Sequence, residues 1–177
     1  MYQFGISTHL FHEHRLSRDH LVHIAAHGFE SVELFATRAH FDYRNPQAID
    51  ELAEWLSDTQ LTLHSVHAPI VERIQNGRWV GAFSNASSDE IRRKAAVAET
   101  EAALAMTSRI PFRYLVLHLG VPTSEQASAG DNHAEAARRS AEARAEAAAR
   151  DNVRVAVEVI PNALSDAATP AWLVEEQ

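Results

Sequence analysis

The sequence predicts an α/β fold in which about five βα units place parallel strands in one sheet. Short apolar and β-branched runs alternate with segments of helical periodicity, and such alternation is typical of parallel sheets with right-handed crossovers. Hydrophobic residues make up 46% of the 177 positions, which is enough for a substantial core, so we expect one domain over residues 1–177. The predicted strands are 3–8, 31–36, 61–67, 114–119 and 153–160.

Start and stop signals predict helices between these strands. Ser17 can cap the first helix, which is expected to end at Gly28. Asn45 caps the second and Pro46 takes its first position, ahead of apolar residues spaced three and four apart. The third starts at a capping-box spacing and, like the fourth, is rich in alanine. These two are predicted at about 87–107 and 132–150, and a short fifth helix begins at 169–170.

Charge and composition exclude several classes of function. Twenty-four acidic residues against sixteen basic ones give a net charge of −8, which repels a phosphate backbone, so nucleic-acid binding is not expected. The chain has no cysteine, which leaves His, Asp and Glu side chains or backbone oxygen to bind any metal. No run approaches the roughly 20 apolar residues of a membrane span, and no signal-peptide pattern is present, so we expect a cytoplasmic protein without membrane contact.

Metal-capable side chains stand near the ends of three successive predicted strands, at His67, His118 and Glu158. A single histidine in a strand is more often a hydrogen-bonded core residue than a ligand. Three such groups at matching positions favour a shared site, because parallel strands bring their carboxyl ends to one face and a buried polar group needs a partner. His9, in the first βα loop, and Glu33, inside the second strand, are further candidates for contact with a substrate.

The segment 68–86 is predicted to be a long loop after the third strand. Its composition suits a lid in which the aromatic ring of Trp79 covers a substrate and an arginine, Arg73 or Arg78, meets an anion. A small packing excursion explains the same composition equally well. Segment 120–131 is predicted to be a surface loop, and the sequence contains no Gly-rich phosphate loop, dinucleotide fingerprint or nucleophile elbow.

Five short segments at the predicted strand ends form a pattern in their order and spacing. They read FGIST at 4–8, VELF at 32–35, LHSVHAP at 63–69, VLHLG at 116–120 and VEVIPN at 157–162. Together these segments resemble the xylose isomerase-like barrel superfamily, which includes sugar phosphate isomerases and epimerases and the endonuclease IV type of DNA-repair enzyme. The resemblance implies an eight-stranded (β/α)8 TIM barrel, of which this chain is expected to be a part, with a divalent metal at the carboxyl-end face.

The resemblance also implies roles for particular residues. Glu158 matches the strand-five glutamate that binds the metal in the isomerases and epimerases. His67 and His118 match zinc ligands of the endonuclease branch and line the substrate pocket in the isomerase branch. The expected cofactor is a divalent ion, Mn²⁺, Mg²⁺, Co²⁺ or Zn²⁺, and the expected substrate is a small carbohydrate. The implied catalytic and metal-binding residues are Glu158, His67 and His118, and the implied substrate-binding residues are His9, Glu33 and Trp79.

The chain departs from the family pattern after the fifth predicted strand. Eight-stranded barrels take about 250 residues, so strands six to eight and three of the four expected metal ligands are expected to be absent and the isolated chain inactive. An unclosed sheet exposes two edges and an apolar face, which favours association between copies. Leu164 stands where ketose 3-epimerases carry a second glutamate, which argues against that subgroup.

Three functions stay open on the sequence. The first is a metal-dependent isomerase or epimerase of sugars or sugar phosphates. The second is an endonuclease IV-like zinc phosphodiesterase, which the two histidines and the glutamate favour and the net charge of −8 opposes. The third is a non-catalytic barrel fragment that assembles with another chain.

Overall fold

The structure, a computed structural model, describes residues 4–126 and 128–165. Within them the strands are β1 Gly5–Ser7, β2 Ser31–Phe35, β3 Thr62–His67, β4 Val71–Gln75, β5 Arg78–Ala82, β6 Tyr114–His118 and β7 Arg154–Glu158. Five of them form a parallel sheet in the order β1-β2-β3-β6-β7, while β4 and β5 pair with each other antiparallel. The five predicted strands and their parallel arrangement are therefore confirmed.

In the described residues four α-helices connect the strands, namely α1 Arg18–Ala26, α2 Pro46–Thr59, α3 Glu90–Leu104 and α4 Ala134–Arg150. The predicted start of α2 is confirmed, because the Asn45 side chain accepts a hydrogen bond from the Gln47 amide and Pro46 is the first helical residue. Helix α3 ends at Leu104, earlier than predicted, because the chain tightens there into a 3-10 turn. The predicted fifth helix lies outside the described residues. No helix in the described ranges is both long and apolar enough to span a bilayer.

The two faces of the parallel sheet differ in chemistry. Leu34, Leu115 and Leu117 are at most 1% exposed and belong to a hydrophobic cluster that includes side chains from all four helices. Successive strand residues point to opposite faces, so the positions between these leucines face away from the helices. That second face carries the polar side chains that the sequence pattern singled out.

A β-bulge in β3 adjusts which residues share the polar face. Val32 pairs with Leu63, but the next residue of β2, Glu33, pairs with Ser65, so His64 is an extra residue in β3. The hydroxyl of Ser65 donates to the Glu33 carboxylate at 2.9 Å. Beyond the bulge the regular alternation continues to the end of β3 and places Ser65 and the final strand residue on one side.

The segment predicted as a long loop contains a β-hairpin, so that prediction was incomplete. Strands β4 and β5 are joined by Asn76 and Gly77, whose φ angles are 52° and 71°. Positive φ at both central residues is the geometry of a type I′ turn, which matches the twist of a two-residue hairpin. The hairpin packs on a small apolar cluster of its own, separate from the main core, formed by Phe35, Ile70 and Val71 with Ile74 and Trp79 against it.

Candidate metal centre

Three metal-capable atoms converge at the carboxyl ends of β3, β6 and β7. The Nε2 atom of His67 lies 3.0 Å from Glu158 Oε2 and 3.2 Å from His118 Nε2, and the latter lies 3.2 Å from the same Oε2. The side chains of His67 and His118 are 9% and 8% exposed, whereas that of Glu158 is 46% exposed. We call these residues the trio. Among residues 4–126 and 128–165, no other group of three His, Asp or Glu side chains comes together in this way.

Parallel strand register explains the convergence. Each member of the trio is the last residue of its strand. His118 and Glu158 are direct partners in the ladder between β6 and β7, and His67 pairs with Val116, two residues before His118. A separation of two residues along a strand keeps the side-chain direction. The strands therefore point all three groups to the same face, opposite the helices.

The hydrogen bonds of His67 constrain its protonation. Its Nδ1 lies 2.9 Å from the Ala68 carbonyl oxygen, which can only accept, so Nδ1 carries a hydrogen. In the neutral ring Nε2 then has a lone pair and no hydrogen, and it lies 3.0 Å from Oε2 of the Glu158 carboxylate. Two hydrogen-bond acceptors at this distance repel each other. A positive charge removes the repulsion, either as a second proton on His67 or as a bound cation.

Electrostatics keep His118 neutral and Glu158 ionised at neutral pH. Burial, and then the neighbouring His67, lower the pKa of His118 to about 4. The hydrogen bond with His67 and the charges of both imidazoles lower the pKa of Glu158 to about 2, against the opposing effect of burial. A neutral imidazole and an ionised carboxylate are the forms that bind metals.

The donor set fits a divalent metal such as zinc. Imidazole nitrogen and carboxylate oxygen are common zinc donors, and donors about 2.0–2.2 Å from a tetrahedral ion lie about 3.3–3.6 Å apart. The atoms of the trio are 3.0 to 3.2 Å apart. The Ala68 carbonyl orients His67 as metal-bound histidines usually are. The buried Nδ1 of His118, in contrast, has no hydrogen-bond partner in the part of the chain that the structure describes.

The trio lies at the edge of a cavity of about 350 Å³, a volume in the range of small-molecule sites. Strand residues of the parallel sheet form one side, which we call the sheet wall: Glu33, Phe35, His67, His118 and Glu158. Ile74 and Trp79 form the opposite side, which we call the hairpin wall. Ser7, His9 and Ile70 complete the lining.

All three residues predicted to bind substrate line this cavity. His9 lies in a 3-10 turn after β1, where its ring stacks on His12 with centroids 4.7 Å apart and meets the edge of Phe35 at 4.4 Å. Glu33 is held by Ser65 from the bulged strand. The Trp79 ring is nearly parallel to that of His118, at a centroid distance of 6.4 Å.

Some features of the cavity differ from the sequence prediction or were missing from it. The hairpin places Trp79 at the cavity, whereas neither Arg73 nor Arg78 is among the residues that line it. Sequence reasoning did not single out Ile70 and Ile74 as lining residues. Alternation along β4 would have indicated Ile74 once the hairpin was recognised, because it pairs with Trp79.

Comparison with known proteins gives one family. The sequence model of that family, described as "Xylose isomerase-like TIM barrel", matches residues 21–172. No curated protein sequence matches.

Solved structures with the same fold are distant in sequence. D-psicose 3-epimerase with D-tagatose from Clostridium cellulolyticum H10 matches with a TM-score of 0.67 and 17% identity, over 94% of this chain and 55% of that one. AP endonuclease, family 2 from Brucella melitensis matches with a TM-score of 0.62 and 20% identity, over 89% and 55%. The IOLI protein with a binding zinc atom matches with a TM-score of 0.63 and 13% identity, over 88% and 51%. The chain thus spans about half the length of these proteins, and its sheet corresponds to part of a TIM barrel.

Proposed function

The chain belongs to the xylose isomerase-like TIM barrel family, and from that premise we propose that it carries the metal centre of a carbohydrate isomerase or epimerase. The observation that supports this most strongly is the meeting of His67, His118 and Glu158 within 3.2 Å of one another at a cavity large enough for a sugar. The similar fold of D-psicose 3-epimerase, whose structure contains D-tagatose, supports a carbohydrate ligand.

Different residues of the chain would have different roles in such a site. His67, His118 and Glu158 would hold Mn²⁺, Mg²⁺, Co²⁺ or Zn²⁺, and when bound the ion polarises a carbonyl and stabilises negative charge on its oxygen. Glu33, fixed by the Ser65 hydroxyl at 2.9 Å, can accept a hydrogen bond from a substrate hydroxyl. His9 can contact the substrate from the end of β1, and Trp79 excludes water from the opposite side.

Cobalt binding tests this proposal, because Co²⁺ reports its coordination in its visible absorption bands. We expect one Co²⁺ per chain, lost in Glu158→Gln and retained in Glu142→Gln, which removes an exposed carboxylate on α4. We also expect the bands to change when a free ketose such as D-tagatose is added. Cobalt that binds at the trio but does not respond to any ketose or aldose would contradict the carbohydrate function and leave the metal site standing.

A zinc-dependent phosphodiesterase is the second candidate, because two histidines and a glutamate suit zinc and an AP endonuclease shares the fold. The net charge of −8 opposes it. Zinc-loaded protein that incises abasic-site DNA, with the activity lost in Glu158→Gln, would favour this candidate over the isomerase. Failure to bind any divalent ion would instead favour a non-catalytic fragment that assembles with another chain.

A further inference from the structure

We infer that the cavity accepts a neutral sugar or polyol and discriminates against the phosphorylated form of the same sugar. This inference rests on the proposed function, which left sugars and sugar phosphates as alternatives. It concerns the protein groups that line the cavity, and it is tested on the metal-free chain.

The charge of the cavity lining supports the inference. Among the described residues the lining contains two carboxylates, Glu33 and Glu158, and no arginine or lysine. Proteins bind phosphate groups with Arg or Lys side chains or with the amide groups of a helix N-terminus. Any positive charge on His67 is paired with the Glu158 carboxylate, whose Oε2 lies 3.0 Å from His67 Nε2, and the second carboxylate of the lining, Glu33, accepts a hydrogen bond from the neutral hydroxyl of Ser65. A phosphate would therefore enter a site of like charge.

The hairpin directs its arginines away from the cavity. Ile74 and Trp79 are cross-strand partners and line the cavity together. Adjacent strand positions point to the opposite side of a hairpin. Arg73 and Arg78 occupy such adjacent positions, are exposed and do not line the cavity. These two guanidinium groups are thus on the side of the hairpin that faces away from the cavity.

The two walls match the two sides of a sugar. The sheet wall offers carboxylate and imidazole groups that can bond hydroxyls, and the hairpin wall offers the indole of Trp79 and the side chain of Ile74. A sugar ring presents apolar C–H groups that can pack on an aromatic face while its hydroxyls bond polar groups. This division of the lining favours an uncharged polyhydroxy ligand.

A titration in a chelating buffer tests the inference, since without metal a phosphate cannot bind through an ion. The indole N–H peak of Trp79 is followed by NMR, assigned with Trp79→Phe, and that of Trp55 on α2 serves as an internal reference. D-fructose and D-fructose 6-phosphate are the probes. We expect D-fructose to shift the Trp79 peak in a saturable way and the phosphate to bind at least about tenfold more weakly, an effect of like charge.

Two matched variants each add one positive charge to the hairpin, on opposite sides. Ile74→Arg adds a guanidinium to the cavity side of the hairpin, whereas Gln75→Arg adds it one residue along the strand, on the opposite side. We expect Ile74→Arg to strengthen binding of D-fructose 6-phosphate about tenfold and Gln75→Arg to leave it nearly unchanged. If Ile74→Arg does not fold, Glu33→Gln gives the second test, because loss of one carboxylate should narrow the difference between the two sugars.

The outcomes separate this inference from the proposed function. Equal or tighter binding of the phosphate by the natural chain, or no shift with either sugar, would overturn the inference. Neither result bears on whether cobalt binds at the trio, because the number of Co²⁺ ions per chain is measured before any sugar is added. Conversely, loss of the metal site would overturn the proposed function and leave the preference of the cavity measurable.

Discussion

The sheet wall and the hairpin wall line the same cavity, but different apolar clusters support them. Sheet-wall residues extend from strands whose alternate side chains, such as Leu115 and Leu117, are completely buried in the main core. The hairpin wall rests on two paired strands and a separate small cluster around Val71. A two-stranded hairpin has little stability of its own in water. The comparison indicates a polar wall supported by the main core and an apolar wall with a smaller, separate support.

The largest expected difference between the walls is in the stability of their supports. Leu117→Ala, behind the sheet wall, removes a fully buried side chain and is expected to lower the free energy of unfolding by about 2–5 kcal/mol. Ile74→Ala, in the hairpin wall, is expected to cost less than about 1.5 kcal/mol, because Ile74 is only partly buried. Urea denaturation of both variants measures this, and equal losses would show that the hairpin is part of the main core.

Metal affinity should depend on the sheet wall alone. Loss of a residue that merely orients a ligand costs about 10–100-fold in metal affinity, so removal of a ligand by His67→Ala should cost more than ~100-fold. Trp79→Ala should change zinc affinity by less than about threefold, a difference of under about 1 kcal/mol, because its indole is not a ligand. Competition titration against a chelating dye measures both affinities. A large loss of zinc affinity in Trp79→Ala would show that metal binding depends on both walls.

Hydrogen exchange of backbone amides should show the difference without mutation. Amides of β3 and β6 lie inside the sheet and are expected to exchange only through global unfolding. Amides of β4 and β5 are expected to open locally, at a free energy at least about 1 kcal/mol below the global value. The measurement is exchange followed by NMR at several denaturant concentrations. Protection of the hairpin equal to that of β3 would contradict a separately opening wall.

The smallest expected effect is a pH dependence on the sheet side. Burial lowers the pKa of His40, whose ring lies 6.3 Å from that of Phe35 in the sheet wall. The unfolded chain therefore binds this proton more readily, so stability is complete above the unfolded pKa of about 6.5 and falls as the pH drops below it. His40→Gln should flatten the dependence of unfolding free energy on pH between 7 and 5. The control is His23→Gln, at an exposed position. The same flattening in both variants would show that the pH dependence does not come from the buried His40.

The sequence predicts the sheet wall better than the hairpin wall for a physical reason. In a parallel sheet the strand ends share one face, so His67, His118 and Glu158 could be placed together from their positions in three strands. The hairpin was predicted as a loop although Asn76-Gly77, between Ile74 and Trp79, is a strong signal for a two-residue turn. Without a strand there is no alternation, so the sequence alone provided no reason to place Arg73 and Arg78 away from a ligand.

Other features of the site could not be derived from the sequence. The bulge at His64 changes which β3 residues share the face of Glu33, and no local residue pattern announces it. The hydrogen bond from His67 Nδ1 to the Ala68 carbonyl depends on the turn after β3. The buried Nδ1 of His118, without a hydrogen-bond partner in residues 4–126 and 128–165, depends on the packing around β6. These three features depend on the path of the backbone and on contacts between residues far apart in sequence, which local residue patterns do not encode.

Anomalous diffraction at the zinc edge, from crystals grown with one equivalent of zinc, would locate a bound ion. We expect one ion per chain, bonded to Nε2 of His67, Nε2 of His118 and an oxygen of Glu158 at about 2.0–2.2 Å. An ion bound elsewhere, or a trio that keeps its mutual contacts while zinc is present in solution at saturating concentration, would contradict this expectation.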